Sequence, residues 1–372
     1  MYEEGCTLLP CELQRGHGPG GRFRRAAAVR VEDQRRERGQ MGQPEIRVGF
    51  VGSGYIARQH AEALRDVEGV RFSACMDISE KSAQQLAEFT GGRPTTSLEQ
   101  AIEQSDVVWV CTPPKHHRGQ VLACLEAGRH VYCEKPLATT LEDGRAIAAA
   151  AEGSDALAAI GFNFRFHEPW RKCKGLLDAG DLGKPMMFLC QRAGLGATGG
   201  WRRDPDELCG MTIESLSHNI DLLRFVLGDV ASASAHVIVD PDQPEFDICL
   251  AAALKLRSGA AAGIQATWAS AVPATRHGVV GTAATALIEG PAQFEFDCLR
   301  VSQRDGEAER VYRFPLPSNP LRAAGEHFIA AVRGEVGLEI TVADGLRALE
   351  VSAAMLASAR EGGAAVAVDS TG

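Results

Sequence analysis

The sequence predicts an α/β protein in two parts. A doubly wound parallel sheet comes first, and an α/β domain with a mostly antiparallel sheet follows. Three observations predict this. Between residues 45 and 163, short runs apolar on both faces alternate with amphipathic segments, as in a parallel sheet covered by helices. A glycine-rich turn joins the first run to the first helix. Beyond residue 230, extended runs follow one another with no helix between them, as antiparallel strands do.

The chain has 372 residues, enough for two domains, with 45% hydrophobic and 23% charged residues. A formal net charge of −9 argues against nucleic acid or an anionic membrane as partner. No apolar run approaches the roughly 20 residues that span a bilayer. The 11 cysteines include no C-x-x-C pair. Cys75, Cys111, Cys133, Cys190 and Cys249 sit in apolar runs, as small buried hydrophobes do, which favours a reducing, cytoplasmic setting.

Residues 1–44 stand apart. They are rich in Arg and Gly, lack any sustained period, and read as a disordered extension. Arg24-Arg25 lacks the apolar segment of an export signal, and Met41 offers an alternative start. The first domain, 45–163, opens with strand 46–52 and helix 55–67, in which Ile56, His60 and Leu64 recur every four residues. Strand 70–77 and helix 79–89 follow, then a short helix 97–104 opened by a Ser97/Gln100 capping box. Strand 106–113, helix 119–128, strand 130–136, helix 141–152 and strand 156–162 complete it.

The second domain, 164–372, begins with a helix near 169–179, strand 186–192 and a loop bearing Gly and Arg. One long helix is expected over 211–228. Extended runs follow at 232–239, 246–256, 260–270, 276–289, 293–303 and 308–316, then helices near 321–333 and 342–361.

Gly52-Ser53-Gly54-Tyr55-Ile56-Ala57 has the spacing of a dinucleotide cradle. Gly52 permits the turn, Gly54 lets the backbone approach a pyrophosphate, and Ala57 lets helix and strand lie close. Asp77, 23 residues beyond Gly54, ends the second strand, where a carboxylate accepts bonds from ribose hydroxyls and repels a 2′-phosphate. NAD is therefore favoured, with NADP kept as an alternative by nearby Lys81. Asp77 also suits a cap for helix 79–89.

On the long helix, Glu214 and His218 share a face, with Asp221 three residues further. That stripe reads as a catalytic face or as a solvated one. No third ligand with metal spacing is evident, so no metal is expected. Lys135, in His130-Val131-Tyr132-Cys133-Glu134-Lys135-Pro136, leaves the ligand edge of the parallel sheet. Histidine suits a base near neutral pH, and an ammonium stabilises a developing alkoxide. Pro136 fixes the backbone after the lysine, a cis peptide being one way.

At this point the chain from about residue 45 resembles the Gfo/Idh/MocA oxidoreductases. The likeness rests on GFVGSGYIARQH, the run CTPPKHHRGQ through HVYCEKPLA, GFNFRFHEP and GMTIESLSHNIDLLRFVLG. It implies a Rossmann domain followed by a domain whose open sheet makes homodimer or homotetramer contacts. It implies Lys135 as catalytic lysine, His218 as proton acceptor, and Glu214 where the family usually has aspartate. Thr112, Pro113 and His117 match its cofactor-side loop, Glu134 its cofactor-side glutamate, and Asn163 and Arg165 a segment lining nicotinamide and substrate. Trp201 and Arg202 either stack on and hydrogen-bond a sugar or belong to an ordinary loop. Lys115 and His116 read as solvated loop residues.

The leading expectation is an NAD-dependent dehydrogenase oxidising a secondary hydroxyl of a sugar, sugar derivative or cyclitol. One alternative is a glycosidase or lyase on the same scaffold, returning its hydride with no net redox change. Another is a regulator that binds dinucleotide or sugar, which the presence of both Lys135 and His218 disfavours.

Overall fold

The computed structural model describes residues 45–196, 201, 204, 207, 209–292, 294–306 and 309–368. The extension expected over 1–44, and Arg202, lie outside the described residues. The first sheet has six parallel strands: β1 (Ile46–Val51), β2 (Val70–Met76), β3 (Arg93–Thr95), β4 (Val107–Val110), β5 (His130–Cys133) and β6 (Ala158–Ile160). Their spatial order is β3-β2-β1-β4-β5-β6. The order reverses between β1 and β4, and at such a switch point a crevice opens outside the strand ends.

Alternate residues of β1 explain its sequence. Ile46, Val48 and Phe50 enter one core and Val51 the other, so both faces are apolar. On the first face lies α1 (Tyr55–Leu64); α2 (Glu80–Thr90), α3 (Leu98–Glu103), α4 (His117–Glu126) and α5 (Leu141–Glu152) complete the wrapping. Only half of the expected capping box forms on α3. The Ser97 hydroxyl accepts from Gln100 N at 3.2 Å, while the Gln100 side chain turns to the Thr95 hydroxyl at 2.8 Å.

After a 3-10 turn (Asn163–Phe166) and α6 (Glu168–Asp178), the chain enters a nine-stranded sheet. Its strands are β7 (Pro185–Leu195), β8 (Val230–Asp240), β9 (Gln243–Leu256), β10 (Ala261–Thr267), β11 (Ala269–Gly281), β12 (Ala284–Gly290), β13 (Cys298–Gln303), β14 (Arg310–Arg313) and β15 (Val366–Ala367). The order is β14-β13-β12-β11-β7-β10-β9-β8-β15, antiparallel except for β7 beside β10. The run 276–289, expected as one strand, is a hairpin: β11 and β12 pair with each other, and Gly281 is packed so closely on the Leu182 carbonyl that no side chain fits.

The helix expected over 211–228 is also two helices, α7 (Gly210–Glu214) and α8 (Ser217–Leu227). The reason is that carbonyls at the junction have other partners. Glu214 O accepts from Lys135 Nζ at 3.2 Å and from the Ser217 hydroxyl at 3.1 Å, and Ser215 O accepts from Arg192 Nη1 at 2.8 Å. Carbonyls held in this way no longer serve the i→i−4 ladder.

The closing helices α9 (Pro320–Val332) and α10 (Val342–Arg360) return to the first sheet. Phe328 of α9 meets Trp109 edge-on at 5.5 Å, and Trp109 stacks on Tyr132 at 4.9 Å. On the other face Gly144 of α5 sits so close to Leu349 of α10 that a Cβ there would lie 2.9 Å from it. From Ile46 onward the chain is thus one compact unit holding both sheets. Among the described residues no helix is long and apolar enough to cross a membrane.

Candidate functional site

The glycine turn lies at the C-terminal end of β1. Gly52 has φ +88°, and a Cβ there would stand 2.8 Å from the Cys111 and Thr112 backbone. Only glycine fits. Around Gly54 nothing lies within 4 Å of an added Cβ, so the helix start faces open space. The first turn of α1 has no acidic residue and no side-chain cap. Its free N–H groups and dipole suit a pyrophosphate.

Asp77 follows β2 and binds with both oxygens. Oδ2 accepts from Ser53 N and Oδ1 from Ser79 N, each at 2.8 Å. Ser79, not Asp77, is the N-cap of α2, accepting from Ser82 N. Ser53 is fastened again by its hydroxyl to Met76 O at 3.1 Å. Tyr55 and Ile78 flank this loop with 79% and 93% of their surfaces exposed. Large apolar side chains so bare at a strand edge suit an adenine ring. Ile78 escaped the sequence reading because one apolar residue after an acid carries no pattern. Ile56 is half-buried and packs toward the α1 core. The geometry fits a dinucleotide.

Thr112 and Pro113 follow β4. The Thr112 hydroxyl donates to Gln120 Oε1 at 2.6 Å, and Pro113 starts a 3-10 turn. His117 is fully buried, with Nε2 3.0 Å from Thr112 O and Nδ1 3.0 Å from Pro136 O. It clamps this turn to the backbone beyond Lys135. Burial holds its pKa below the ordinary value.

Glu134 and Lys135 follow β5, and the Lys135-Pro136 peptide is cis. Glu134 is buried. Its Oε1 lies 2.6 Å from His60 Nε2, and its Oε2 accepts from Lys135 N at 3.1 Å. Burial pushes the Glu134 carboxyl up, but the His60 bond and the Lys135 ammonium outweigh it and hold it below its usual range. Gly161 makes room: a Cβ there would stand 2.9 Å from Oε1. The His60 partnership was not foreseen, because in sequence His60 is one more position on the apolar stripe of α1.

Lys135 Nζ donates to Glu214 Oε1 at 3.1 Å and to Glu214 O. His218 lies in the first turn of α8. Its ring stacks on Phe164 at 4.1 Å with planes 10° apart, and Phe162 meets it edge-on at 6.0 Å. Nδ1 is buried without a hydrogen-bond partner among the described residues. Burial, then the charges of Lys135 and Arg192 and the nearby His167, push its pKa well below 6.5. The imidazole is therefore neutral at physiological pH and can accept a proton.

Asp221 and Arg165 bind each other. Arg165 Nε donates to Asp221 Oδ2 at 2.8 Å, Nη2 meets Asp221 Oδ1, and Nη2 also donates to Asp344 at 3.0 Å. Its guanidinium thus bonds α8 and α10, and it holds the turn carrying Asn163 and Phe164. Burial lifts the Asp221 carboxyl to about 6 against the pull of Arg165. Asn163 opens that turn half-buried.

Trp201 is half-buried, with its carbonyl accepting from Asp204 N at 3.0 Å. Glu207 contacts His116 Nε2 at 3.2 Å and comes within 4.0 Å of Lys115 Nζ, so these two loop residues join the loop after β7 to the turn after β4. The sequence reading also missed Arg192, buried on β7. The signal was available: Arg192 lies in phase with Phe188 and Cys190, which face the core. A cavity of about 790 Å³ lies elsewhere, lined by Met187, Gln191, Ala251, Gln265 and Arg276 of the nine-stranded sheet.

Comparison with known proteins agrees with this geometry. A family described as oxidoreductases with an NAD-binding Rossmann fold matches residues 46–162, and the GFO/IDH/MocA C-terminal domain matches 170–287. An inositol 2-dehydrogenase from Rhodococcus erythropolis is 34% identical over 50% of this chain and 54% of its own length. A 1,5-anhydro-D-fructose reductase from Ensifer adhaerens is 28% identical over 86% of this chain and 98% of its own. The chain thus spans about half of the first relative and nearly all of the second. Levoglucosan dehydrogenase in complex with NADH superposes with a TM-score of 0.81 at 19% identity, covering 88% of this chain and 100% of that one. The WlbA dehydrogenase from Bordetella pertussis, in complex with NADH and UDP-GlcNAcA, gives 0.78 at 23% identity, covering 89% and 100%. At these identities the likeness is one of fold.

Proposed function

The chain belongs to the Gfo/Idh/MocA oxidoreductase family, with an NAD-binding Rossmann domain, and from that premise we propose that it oxidises a secondary hydroxyl of a small polar sugar, sugar derivative or cyclitol. Bound NAD supplies the hydride acceptor. The observation that carries the reading is the meeting of Lys135, Glu214 and a neutral His218 at the ligand edge of the first sheet.

Each residue has a task. The Lys135 ammonium hydrogen-bonds the substrate oxygen and stabilises the alkoxide as the O–H bond breaks. Glu214 holds that ammonium in place through Oε1. His218 accepts the hydroxyl proton, and Phe164 fixes the plane of its ring. NAD held at the Gly52–Gly54 turn and Asp77 would take up the hydride of the carbinol carbon, which would become a carbonyl. Glu134, itself held by His60, fixes the backbone from which Lys135 projects. Asp77 disfavours a 2′-phosphate, which supports NAD over NADP.

The bare face of the nine-stranded sheet, with exposed Met187, supports self-association into a homodimer or homotetramer. Nine free cysteines among the described residues support a reducing, cytoplasmic setting. A panel of inositols, glucosides and sugar phosphates, scored by NADH formation, tests the reading. Turnover of at least one neutral or acidic polyol that Lys135→Ala abolishes is expected. Sugar release without NADH would point to the glycosidase chemistry instead.

A further inference from the structure

Among the described residues Arg192 is a buried cation without a counter-ion. Its residue surface is 4% exposed, and no carboxylate lies within 4.0 Å of it among the described residues. Nη1 is used: it donates to Ser215 O at 2.8 Å and to Asn219 Oδ1 at 3.1 Å. Nη2 is buried with no hydrogen-bond partner among the described residues. The half-exposed Phe294 ring covers the guanidinium, with its centroid 4.7 Å away. Buried guanidinium groups are ordinarily paired, because leaving water uncompensated costs several kcal/mol.

The place of this charge matters. Its contact at Ser215 O is one residue from Glu214, and its field reaches both Glu214 and His218. Phe294, which covers it, also meets Phe164, the ring stacked on His218. Lys135 already has Glu214 as its partner. The Glu214 carboxylate is thus engaged by the Lys135 ammonium and does not come within 4.0 Å of Arg192.

We propose that Arg192 receives a carboxylate of the substrate, so that the favoured substrates are sugar acids of the uronate kind, not neutral sugars. One spare guanidinium nitrogen, beside a carboxylate already engaged elsewhere, matches a single carboxylate group. A phosphate dianion would need more donors than Nη2 offers. The proposal rests on the reading of Lys135 and His218 as the reacting groups, since these fix where the oxidised hydroxyl stands.

The test uses matched pairs: D-glucuronate against D-glucose, D-galacturonate against D-galactose, with D-glucose 6-phosphate as a dianion control. For the full-length enzyme with NAD, kcat/KM should be at least about tenfold higher for the acid of a pair. Arg192→Gln should shift that ratio at least about fivefold toward the neutral sugar, mainly through KM. Arg192→Lys, which keeps the charge and loses the fork, should retain part of the preference if the glutamine variant does not fold. Equal or better turnover of neutral sugars, a preference for the phosphate, or an unchanged ratio in a folded variant overturns the proposal while the dehydrogenase reading stands. If no sugar is oxidised, the dehydrogenase reading fails on this panel. Calorimetric binding of glucuronate and glucose to NADH-loaded enzyme then decides, and absence of a preference for glucuronate overturns the carboxylate assignment.

Discussion

The ammonium of Lys135 lies 3.1 Å from Glu214 Oε1 across 79 residues of sequence, and the same ammonium caps the last carbonyl of α7. One side chain from the first sheet thereby anchors the helix break of the second domain. Chemistry and architecture depend on the same contact.

The catalytic assignment follows from it. Lys135→Ala removes the group that stabilises the alkoxide, so kcat should fall by about 10² to 10⁴. NADH binding, followed by fluorescence titration, should stay within about threefold, because the cradle at Gly52 and Asp77 is untouched. Near-normal turnover in this variant would refute the assignment. Glu214→Gln retains a hydrogen-bond acceptor and should cost less than Lys135→Ala.

His218 governs the pH profile. Burial and two neighbouring cations keep its imidazole unprotonated well below pH 6.5. The base form is thus present above that low pKa and lost only as pH falls through it. Polyol oxidation should therefore show an acidic limb of kcat/KM below pH 6.5, absent in His218→Asn. An acidic limb centred at or above 6.5 contradicts the role.

Cofactor choice rests on Asp77. Replacing it with serine removes the charge that repels a 2′-phosphate. The ratio of kcat/KM for NAD to that for NADP should fall by about tenfold or more. A wild-type preference for NADP would overturn the reading.

Buried neutral histidines make the fold acid-sensitive. His167 is depressed to about 4 and His277 to about 3, both by burial first. Unfolded histidines bind protons from about pH 6.5 downward, while these two remain neutral in the native state. Stability is then fully present above pH 6.5 and lost as pH falls toward 4. Each histidine removes up to about 1.4 kcal/mol per pH unit over that window. Urea midpoints at pH 7 and pH 5 should differ accordingly, and His167→Gln should flatten the difference.

Arg165 and Asp221 should prove structural. Asp221→Ala leaves a buried guanidinium with only Asp344 and should cost about 3–5 kcal/mol. Thermal melts should show a loss larger than that from Lys135→Ala. A variant that melts normally yet loses substrate affinity would return Arg165 to the site.

By itself the sequence determined the first sheet and its ligand edge. Period-two and helical patterns, glycine at a positive φ and strand-end acids are local signals. They put Gly52, Asp77, Thr112 and Lys135 at the ends of β1, β2, β4 and β5 before any tertiary contact was known. Helix existence beyond residue 163 was equally local. Only the tertiary structure decided which polar groups work together. The break between α7 and α8 comes from donors just after β5 and on β7 that reach Glu214 and Ser215. Arg165 turns to Asp221, 56 residues away, and His60 to Glu134, 74 away. A buried charge takes whichever partner the packed core brings within hydrogen-bond range, and local periodicity carries no record of that partner.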